Sequence, residues 1–181
     1  MIKSLYPKFQ SWAEKGAIWL ISDPHFDDPD CKIMDSDWPS PQEYIDNIKP
    51  SIGKHDTLIC LGDVGDKEYF KKFDCYKVLI LGNHDAGAST YIDFFNEIYT
   101  GPLFVGDRIL LSHEPIYGLE DICVNIHGHV HNAPHRINNH VNLAADVMNW
   151  ELFNLGKEIK KGLLSDTKNY HKITLEKIKN L

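Results

Sequence analysis

The sequence is dominated by one repeated design, a short apolar run that ends in Asp, Asn or His. Five such runs occur, and their nearly unbroken apolar character predicts strands that are buried on both faces. They cover residues 17–21, 57–61, 78–81, 109–111 and 122–126. In open α/β sheets, ligands bind beyond the carboxyl ends of the strands. The sequence therefore predicts that the polar residues at these strand ends converge on one site.

Helices are predicted between and after these strands, which makes the chain an α/β protein. Residues 40–43 combine an N-cap serine, a proline at the first helical position and a glutamate three residues after the cap. Residues 152–163 carry apolar side chains at helical spacing. No repeat or domain boundary is visible, so residues 1–181 are predicted to form one domain. The remaining predictions are helices at 66–73 and 89–98, a strand at 136–144, and an ambiguous ending at 165–181.

Composition and charge narrow the class of protein. With 43% hydrophobic and 25% charged residues, the chain has the composition of an ordinary globular protein. Its formal net charge of -7 opposes non-specific duplex binding, which depends on Lys and Arg, so a nucleic-acid partner is disfavoured. Residues 1–16 lack the apolar core of a signal peptide, and every apolar run is too short to span a bilayer. A cytoplasmic protein without a membrane partner is therefore expected.

The four cysteines are Cys31, Cys60, Cys75 and Cys123, and no two of them form a Cys-x-x-Cys pair. An even number is compatible with two disulfides. However, Cys60 and Cys75 lie in apolar, strand-like segments. The favoured interpretation is that the thiols are reduced and buried in an intracellular protein.

The polar residues at the strand ends form an ordered series of candidate metal ligands. Taken singly, Asp23-Pro24-His25 is typical of a turn, and each strand end could be satisfied separately. Together the series offers carboxylate, amide and imidazole donors without thiolate, which suits Mn, Fe or Zn. Clustering its carboxylates without a cation would cost several kcal/mol in repulsion and desolvation. The series is Asp23, His25, Asp63, Asn83, His84, Asp85, His113, His129 and His131.

Read in chain order, the series forms five blocks: Asp-x-His, Gly-Asp, Gly-Asn-His-Asp, a single His and Gly-His-x-His. Because all five blocks are present between Asp23 and His131, the sequence resembles the calcineurin-like metallophosphoesterase superfamily. The resemblance implies an α/β sandwich of two mixed sheets flanked by helices. It also implies a dimetal site at the carboxyl ends of the strands and, since no cap domain is evident, an open site.

The resemblance implies a role for each residue of the series. One divalent ion would be held by Asp23, His25, Asp63 and His131, and the other by Asp63, Asn83, His113 and His129. Asp63 would bridge the ions, and a hydroxide shared between them would attack phosphorus. His84 would stabilise the transition state or protonate the leaving group, with Asp85 orienting its ring. Some proteins of this fold are scaffolds that lack the histidine of the third block, so its presence here favours catalysis.

The expected activity is that of a metal-dependent phosphoester hydrolase, specifically a phosphodiesterase with a small substrate. The alternatives are a phosphomonoesterase, a nuclease, and a non-catalytic, metal-stabilised module that docks through the lysine-rich stretch near the C-terminus. Substrate choice depends on the loops after the strands. Residues 26–40 carry Phe26 and Trp38 and predict either a ligand-contacting loop or a packed Ω-loop. A second candidate loop is 114–121, and residues 142–150 loosely resemble small prokaryotic or phage-type members.

Overall fold

The computed structural model describes residues 16–168 and, outside that range, residues 3–4, 12 and 179. Most of the ambiguous ending at 165–181 lies outside the described residues. Within them, strands alternate with short helices and turns. No helix in this part of the chain combines the length and the apolar character needed to cross a membrane.

The described residues form two mixed sheets. Their strands are, in chain order, β1 (Lys3–Ser4), β2 (Ile18–Ile21), β3 (Thr57–Cys60), β4 (Tyr76–Ile80), β5 (Glu97–Tyr99), β6 (Leu103–Phe104), β7 (Ile109–Leu111), β8 (Val124–His127), β9 (Arg136–Ile137), β10 (His140–Asn142) and β11 (Phe153–Asn154). One sheet has the order β11-β2-β3-β4-β5, and the other has the order β1-β6-β7-β8-β10-β9. The two-sheet α/β architecture expected from the resemblance is confirmed.

The five predicted strands are β2, β3, β4, β7 and β8, and they lie in the parallel parts of the two sheets. β2, β3 and β4 are parallel neighbours in the five-stranded sheet. β7 and β8 are parallel neighbours in the six-stranded sheet. Parallel neighbours end at the same edge of a sheet, so each sheet gathers its polar strand ends on one side.

The main core lies between the sheets, and a second core covers the outer face of the five-stranded sheet. In β3 the two faces alternate, so that Ile59 packs into the main core whereas Leu58 and Cys60 pack into the outer one. Because both faces of this strand are buried, the sequence is apolar without interruption. All four cysteines are free and buried, which confirms the predicted thiols.

The predicted helix start at Ser40 is confirmed. Helix α2 (Pro41–Ile48) follows α1 (Cys31–Met34), and both halves of its capping box are present. The Glu43 amide donates to Ser40 Oγ, and the Ser40 amide donates to the Glu43 carboxylate at 2.8 Å. Helix α2 buries Tyr44, Ile45 and Ile48 against the outer core. The late helix is α3 (Leu155–Lys160), shorter than predicted because strand β11 occupies its expected start.

Three further predicted elements differ from the structure. Residues 66–73 form a 3-10 helix at Lys67–Lys72 rather than an α-helix. The helix predicted at 89–98 is wrong: a 3-10 turn at Ala88–Thr90 is followed by turns and by strand β5. Its helical spacing came from Tyr91, Phe94 and Phe95, which are buried in the outer core from a non-helical backbone. The strand predicted at 136–144 is a hairpin of β9 and β10, because Asn138 turns the chain with φ of 52°.

Candidate metal centre

The predicted ligands converge at the carboxyl ends of the central strands. Asp63 follows β3 and Asn83 follows β4 in one sheet, whereas His113 follows β7 and His129 follows β8 in the other. Asn83 Oδ1 lies 2.7 Å from His113 Nε2 and 3.0 Å from His129 Nδ1. Both sheets therefore contribute to one centre. Its seven predicted ligands are Asp23, His25, Asp63, Asn83, His113, His129 and His131.

The donor atoms form two groups, each of which can surround one ion. The first group contains Asp23, His25 and His131, and the second contains Asp63, His113 and His129. Within each group the donor atoms lie within 4.8 Å of one another. Bonds from a metal ion to imidazole or carboxylate are about 2.0–2.2 Å long, so donors on opposite sides of an ion are about 4 Å apart. Each group is therefore compact enough that it could hold one divalent ion.

Asp63 belongs to the second group and also borders the first. Its Oδ2 atom is 3.7 Å from His25 Nε2 of the first group and 3.4 Å from His113 Nε2 of the second. Its Oδ1 atom accepts a hydrogen bond of 2.9 Å from the backbone amide of His84, which fixes the plane of the carboxylate. Asp63 thus occupies the position that a shared ligand needs.

Four of the ligands adopt a left-handed backbone conformation, with φ of 52° at Asp23, 43° at His25, 52° at Asp63 and 69° at His129. For residues other than glycine this costs about 1–3 kcal/mol each, and it persists only where the surrounding structure enforces it. Here the backbone amide of Asp23 donates to the Gly62 carbonyl at 3.0 Å, and that of His25 donates to the Asp63 carbonyl at 3.0 Å. The fold therefore positions these ligands itself and stores strain in doing so.

Gly128 permits the close approach of the histidine loop to Asp23. A Cβ atom at position 128 would lie 2.0 Å from Asp23 Oδ2 and 1.9 Å from Ser22 Oγ. This approach lets the backbone amide of His129 donate to both oxygens of the Asp23 carboxylate, at 3.1 and 3.0 Å. Hydrogen bonds to a charged acceptor are stronger than neutral ones. The loop and the carboxylate are therefore fixed to each other.

We expect Gly128→Ala to weaken metal binding, because the added Cβ would push His129 and His131 away from Asp23. A loss of at least about tenfold in affinity is expected, as for other changes that misplace metal-ligating histidines. Titration of the metal-free protein with Mn²⁺ in a calorimeter measures it. Gly87→Ala is the matched control, because nothing lies within 4 Å of a Cβ added there. Equal affinities of the two variants would contradict the role given to Gly128.

The buried charges of the centre require positive partners. Burial raises the pKa of the Asp23 carboxyl despite the neighbouring imidazoles. Burial also opposes ionisation of Asp63, but the hydrogen bond and charge of His113 hold the Asp63 pKa below its usual value. Although burial disfavours charge on His113, its hydrogen bond to Asp63 and the nearby carboxylates raise its pKa to about 9. The shifts at Asp63 and His113 both reflect attraction between a buried carboxylate and a positive neighbour, a role that divalent cations also fit.

His84 lies at the rim of the centre. It is exposed, and its ring centroid is 5.7 Å from that of His25 in an edge-to-face arrangement. Three groups of possible metal ligands occur among the described residues, the two above and one formed by His25, Asp28 and Cys31, and none includes the His84 ring. The ring therefore lies outside both groups that could hold the ions.

Asp85 has a different role from the predicted one of orienting the His84 ring. Its carboxylate accepts four hydrogen bonds of 2.8–3.1 Å, and the donors are the backbone amides of Asp63, Val64 and Gly82 and the hydroxyl of Tyr91. These bonds brace the turn that presents Asp63. Adjacent side chains outside a helix point in different directions, so proximity in sequence to His84 was misleading.

Two carboxylates that the sequence analysis did not single out contact ligand imidazoles. Asp28 Oδ2 lies 3.0 Å from His25 Nδ1, and Asp146 Oδ1 lies 2.7 Å from His131 Nδ1. The only available signals were that Asp28 follows His25 by three residues and that Asp146 lies in the segment 142–150. Neither signal predicts which way the carboxylate points.

The two aromatic side chains of the loop at 26–40 are packed rather than exposed, as in the Ω-loop alternative, and the loop also lines a cleft beside the centre. Phe26 is only 2% exposed and Trp38 only 4%. The Trp38 ring centroid lies 6.1 Å from that of His25 and 5.9 Å from that of His131. Trp38 therefore shields the first group of ligands from solvent. In the other candidate loop, Tyr117 is 74% exposed.

Comparison with known proteins agrees with this geometry. The family model for the calcineurin-like phosphoesterases matches residues 16–176, and the chain belongs to that family. The fold is similar to the crystal structure of a protein of unknown function from Aquifex aeolicus, with a TM-score of 0.67 and 23% sequence identity. That similarity covers 80% of this chain and 98% of the other. None of the curated proteins in the comparison matches the chain. The family and the two groups of ligands define a metal-dependent phosphoesterase.

Proposed function

We propose that this protein hydrolyses small phosphodiesters at a centre of two divalent cations. The observation that carries the proposal is the position of Asp63, whose Oδ2 lies within 3.7 Å of an imidazole nitrogen from each ligand group. When bound, divalent cations make a water molecule more acidic and neutralise charge on the phosphoryl oxygens. The donor set of oxygen and imidazole nitrogen supports Mn, Fe or Zn as the ions.

In this proposal His84 acts on the leaving group. Its backbone amide is tied to Asp63 Oδ1 at 2.9 Å, so the residue is held at the edge of the centre. Its exposed ring can reach a phosphoester that lies across the centre. As the oxygen of a water molecule adds to phosphorus and the P–O bond to the leaving group breaks, a protonated imidazole there donates its proton to the departing ester oxygen. The resulting alcohol leaves as a neutral molecule.

Two clefts that border the centre favour a diester over a monoester. One, of about 290 Å³, is lined by His25 and Trp38, and the other, of about 340 Å³, is lined by Asn83, His113 and Gly101. A phosphodiester carries two organic groups on one phosphorus, and each cleft can receive one of them. A monoester instead brings a second negative charge, yet among the described residues the only Lys or Arg that lines either cleft is Lys32. The Lys32 ammonium already donates to the carbonyls of residues 36 and 38.

The free, buried thiols support the further proposal that the protein works in a reducing, cytoplasmic environment. Nucleic acid is not the proposed substrate, since the net charge of -7 opposes it. The decisive assay compares p-nitrophenyl phosphate with bis(p-nitrophenyl) phosphate, using the Mn²⁺-loaded full-length protein. We expect kcat/KM to favour the diester about tenfold or more. Preference for the monoester would overturn the diester assignment, and binding of two cations without turnover of either would favour the interaction module.

We expect Gly101→Trp to discriminate between diesters by size. Nothing lies within 4 Å of a Cβ added at Gly101, so the indole would extend into the second cleft without disturbing the fold. KM for bis(p-nitrophenyl) phosphate should rise about tenfold, whereas KM for methyl p-nitrophenyl phosphate should change less. Gly87→Trp is the matched control, because its position is equally open and lies outside that cleft. Equal changes for both diesters would show that the cleft does not hold an ester group.

A further inference from the structure

The two histidines of the first ligand group are each backed by a carboxylate. His25 Nδ1 lies 3.0 Å from Asp28 Oδ2, and His131 Nδ1 lies 2.7 Å from Asp146 Oδ1. A carboxylate in this position accepts a hydrogen bond from Nδ1–H, so the lone pair of the ring is on Nε2. The Nε2 atoms of both rings face the centre, at 3.7 Å from Asp63 Oδ2 for His25 and 3.7 Å from Asp23 Oδ1 for His131. Each imidazole is therefore held in the tautomer that binds a cation.

The second ligand group has no equivalent support among the described residues. His113 Nδ1 lies 2.8 Å from the neutral carbonyl oxygen of Leu61. His129 turns its Nδ1 inward, 3.0 Å from Asn83 Oδ1. In the described part of the chain, no carboxylate hydrogen-bonds the outer nitrogen of either ring. Besides Asp63, the oxygen donor nearest to the second group is the neutral amide of Asn83, 2.7 Å from His113 Nε2, and we count it as a ligand of that group. The corresponding oxygen donor of the first group is the Asp23 carboxylate.

We infer that Asp28 and Asp146 are positioning residues that make the first ligand group the tighter of two unequal cation sites. Apart from Asp63, three carboxylates serve the first group: Asp23 as a ligand, and Asp28 and Asp146 as hydrogen-bond partners of its histidines. In the described part of the chain, the second group has no such carboxylate. Electrostatic attraction and fixed tautomers both favour a cation in the first group. The inference rests on the metal centre of the proposed function but not on hydrolysis. It therefore predicts stepwise loading whatever the substrate is.

The second oxygen of each carboxylate accepts a hydrogen bond from a backbone amide. An Asn side chain in its place would therefore have one preferred orientation. Asp28 Oδ1 accepts from the amide of Asp30 at 3.0 Å, and Asp146 Oδ2 accepts from the amide of Asn132 at 2.7 Å. In an Asn variant the single amide oxygen would keep that backbone bond and the NH₂ group would face the histidine. The imidazole would then accept at Nδ1 and carry its proton on Nε2, the atom that faces the centre. Asn should therefore be more damaging than Ala, which removes the acceptor without imposing the wrong tautomer.

The test is a titration of metal-free, full-length protein with Mn²⁺, followed by the electron paramagnetic resonance signal of the free ion. The wild type should bind a first equivalent more tightly than a second. Asn83→Ala removes a ligand from the second group only, so the tight equivalent should remain. In that background Asp28→Asn and Asp146→Asn should each weaken the tight equivalent about 10–100-fold. The corresponding Ala variants should weaken it less.

Asp27→Asn is the matched control for charge. Asp27 is adjacent to Asp28, and its carboxylate accepts from the Tyr69 hydroxyl at 2.7 Å. Its φ of 55° is one that Asn also adopts readily. An equal loss in Asp27→Asn, or a greater loss in the Ala variants than in the Asn variants, would overturn the positioning role. Absence of hydrolysis would contradict the proposed function and leave this titration unaffected.

Discussion

His84→Ala is expected to lower kcat for bis(p-nitrophenyl) phosphate by about 10²–10⁴-fold while both cations remain bound. The ring belongs to neither ligand group, and the bond to Asp63 Oδ1 comes from the backbone of His84, which alanine retains. The variant therefore loses the proton donor for the leaving oxygen and keeps the architecture of the centre. Turnover and Mn²⁺ stoichiometry, measured on the same preparation, separate these two effects.

The leaving group provides a sharper readout than rate alone. A diester with a poor, strongly basic leaving alkoxide needs the proton from His84 more than p-nitrophenolate does, so the variant should lose more activity on it. His55→Ala is the control, because His55 is an exposed histidine outside the centre. Normal turnover in His84→Ala, or loss of a cation from it, would contradict the role proposed for this residue.

Asp63→Asn is expected to abolish tight binding of both cations and, with it, activity. The amide oxygen of the substituted side chain would keep the bond to the His84 backbone, so its NH₂ group would occupy the position of Oδ2. That position lies 3.7 Å from His25 Nε2 and 3.4 Å from His113 Nε2, where cations would meet a donor instead of a carboxylate oxygen. Substituting a residue that only hydrogen-bonds a metal ligand typically lowers metal affinity roughly 10–100-fold. The loss of affinity in Asp63→Asn should be larger, because Asp63 is itself a ligand.

Thermal unfolding distinguishes this loss from misfolding. Wild-type protein should gain about 2.7 kcal/mol from a cation present at about a hundred times its Kd, with a corresponding rise in Tm. Asp63→Asn should still fold without metal, and it should lose the metal-induced rise in Tm. Asp66→Asn is the control, because this exposed residue caps the 3-10 helix at Lys67–Lys72 and Asn also caps helices. A wild-type response to Mn²⁺ in Asp63→Asn would contradict the bridging position.

The central strands and the ligands could both be predicted because burial of parallel strands leaves a clear pattern in the sequence. Strands such as β3 are buried on both faces, which produces an uninterrupted apolar run, and parallel strands bring their carboxyl ends together. A polar residue such as Asp63 at the end of such a run is therefore expected to belong to a functional site. The capping box at Ser40 is equally local, since its two bonds depend on residues three positions apart.

The remaining features depend on tertiary direction, which local sequence does not specify. Asp85 braces the Asp63 turn rather than His84 because its side chain points across to backbone amides 21 and 22 residues away. Asp146 reaches His131 only because the 142–150 segment folds back over the histidine loop. Trp38 is buried because it packs against His25 and Trp150, although its loop is polar in sequence. Each of these contacts is set by packing between distant segments.

The most direct test of the account is the turnover of bis(p-nitrophenyl) phosphate by metal-free, full-length protein as Mn²⁺ is added. If two cations gathered by carboxylates and imidazoles from both sheets perform the chemistry, activity should be absent without metal and reach its maximum near two equivalents. Turnover that persists unchanged in excess chelator would contradict the account, and so would a protein that has bound two equivalents and hydrolyses nothing.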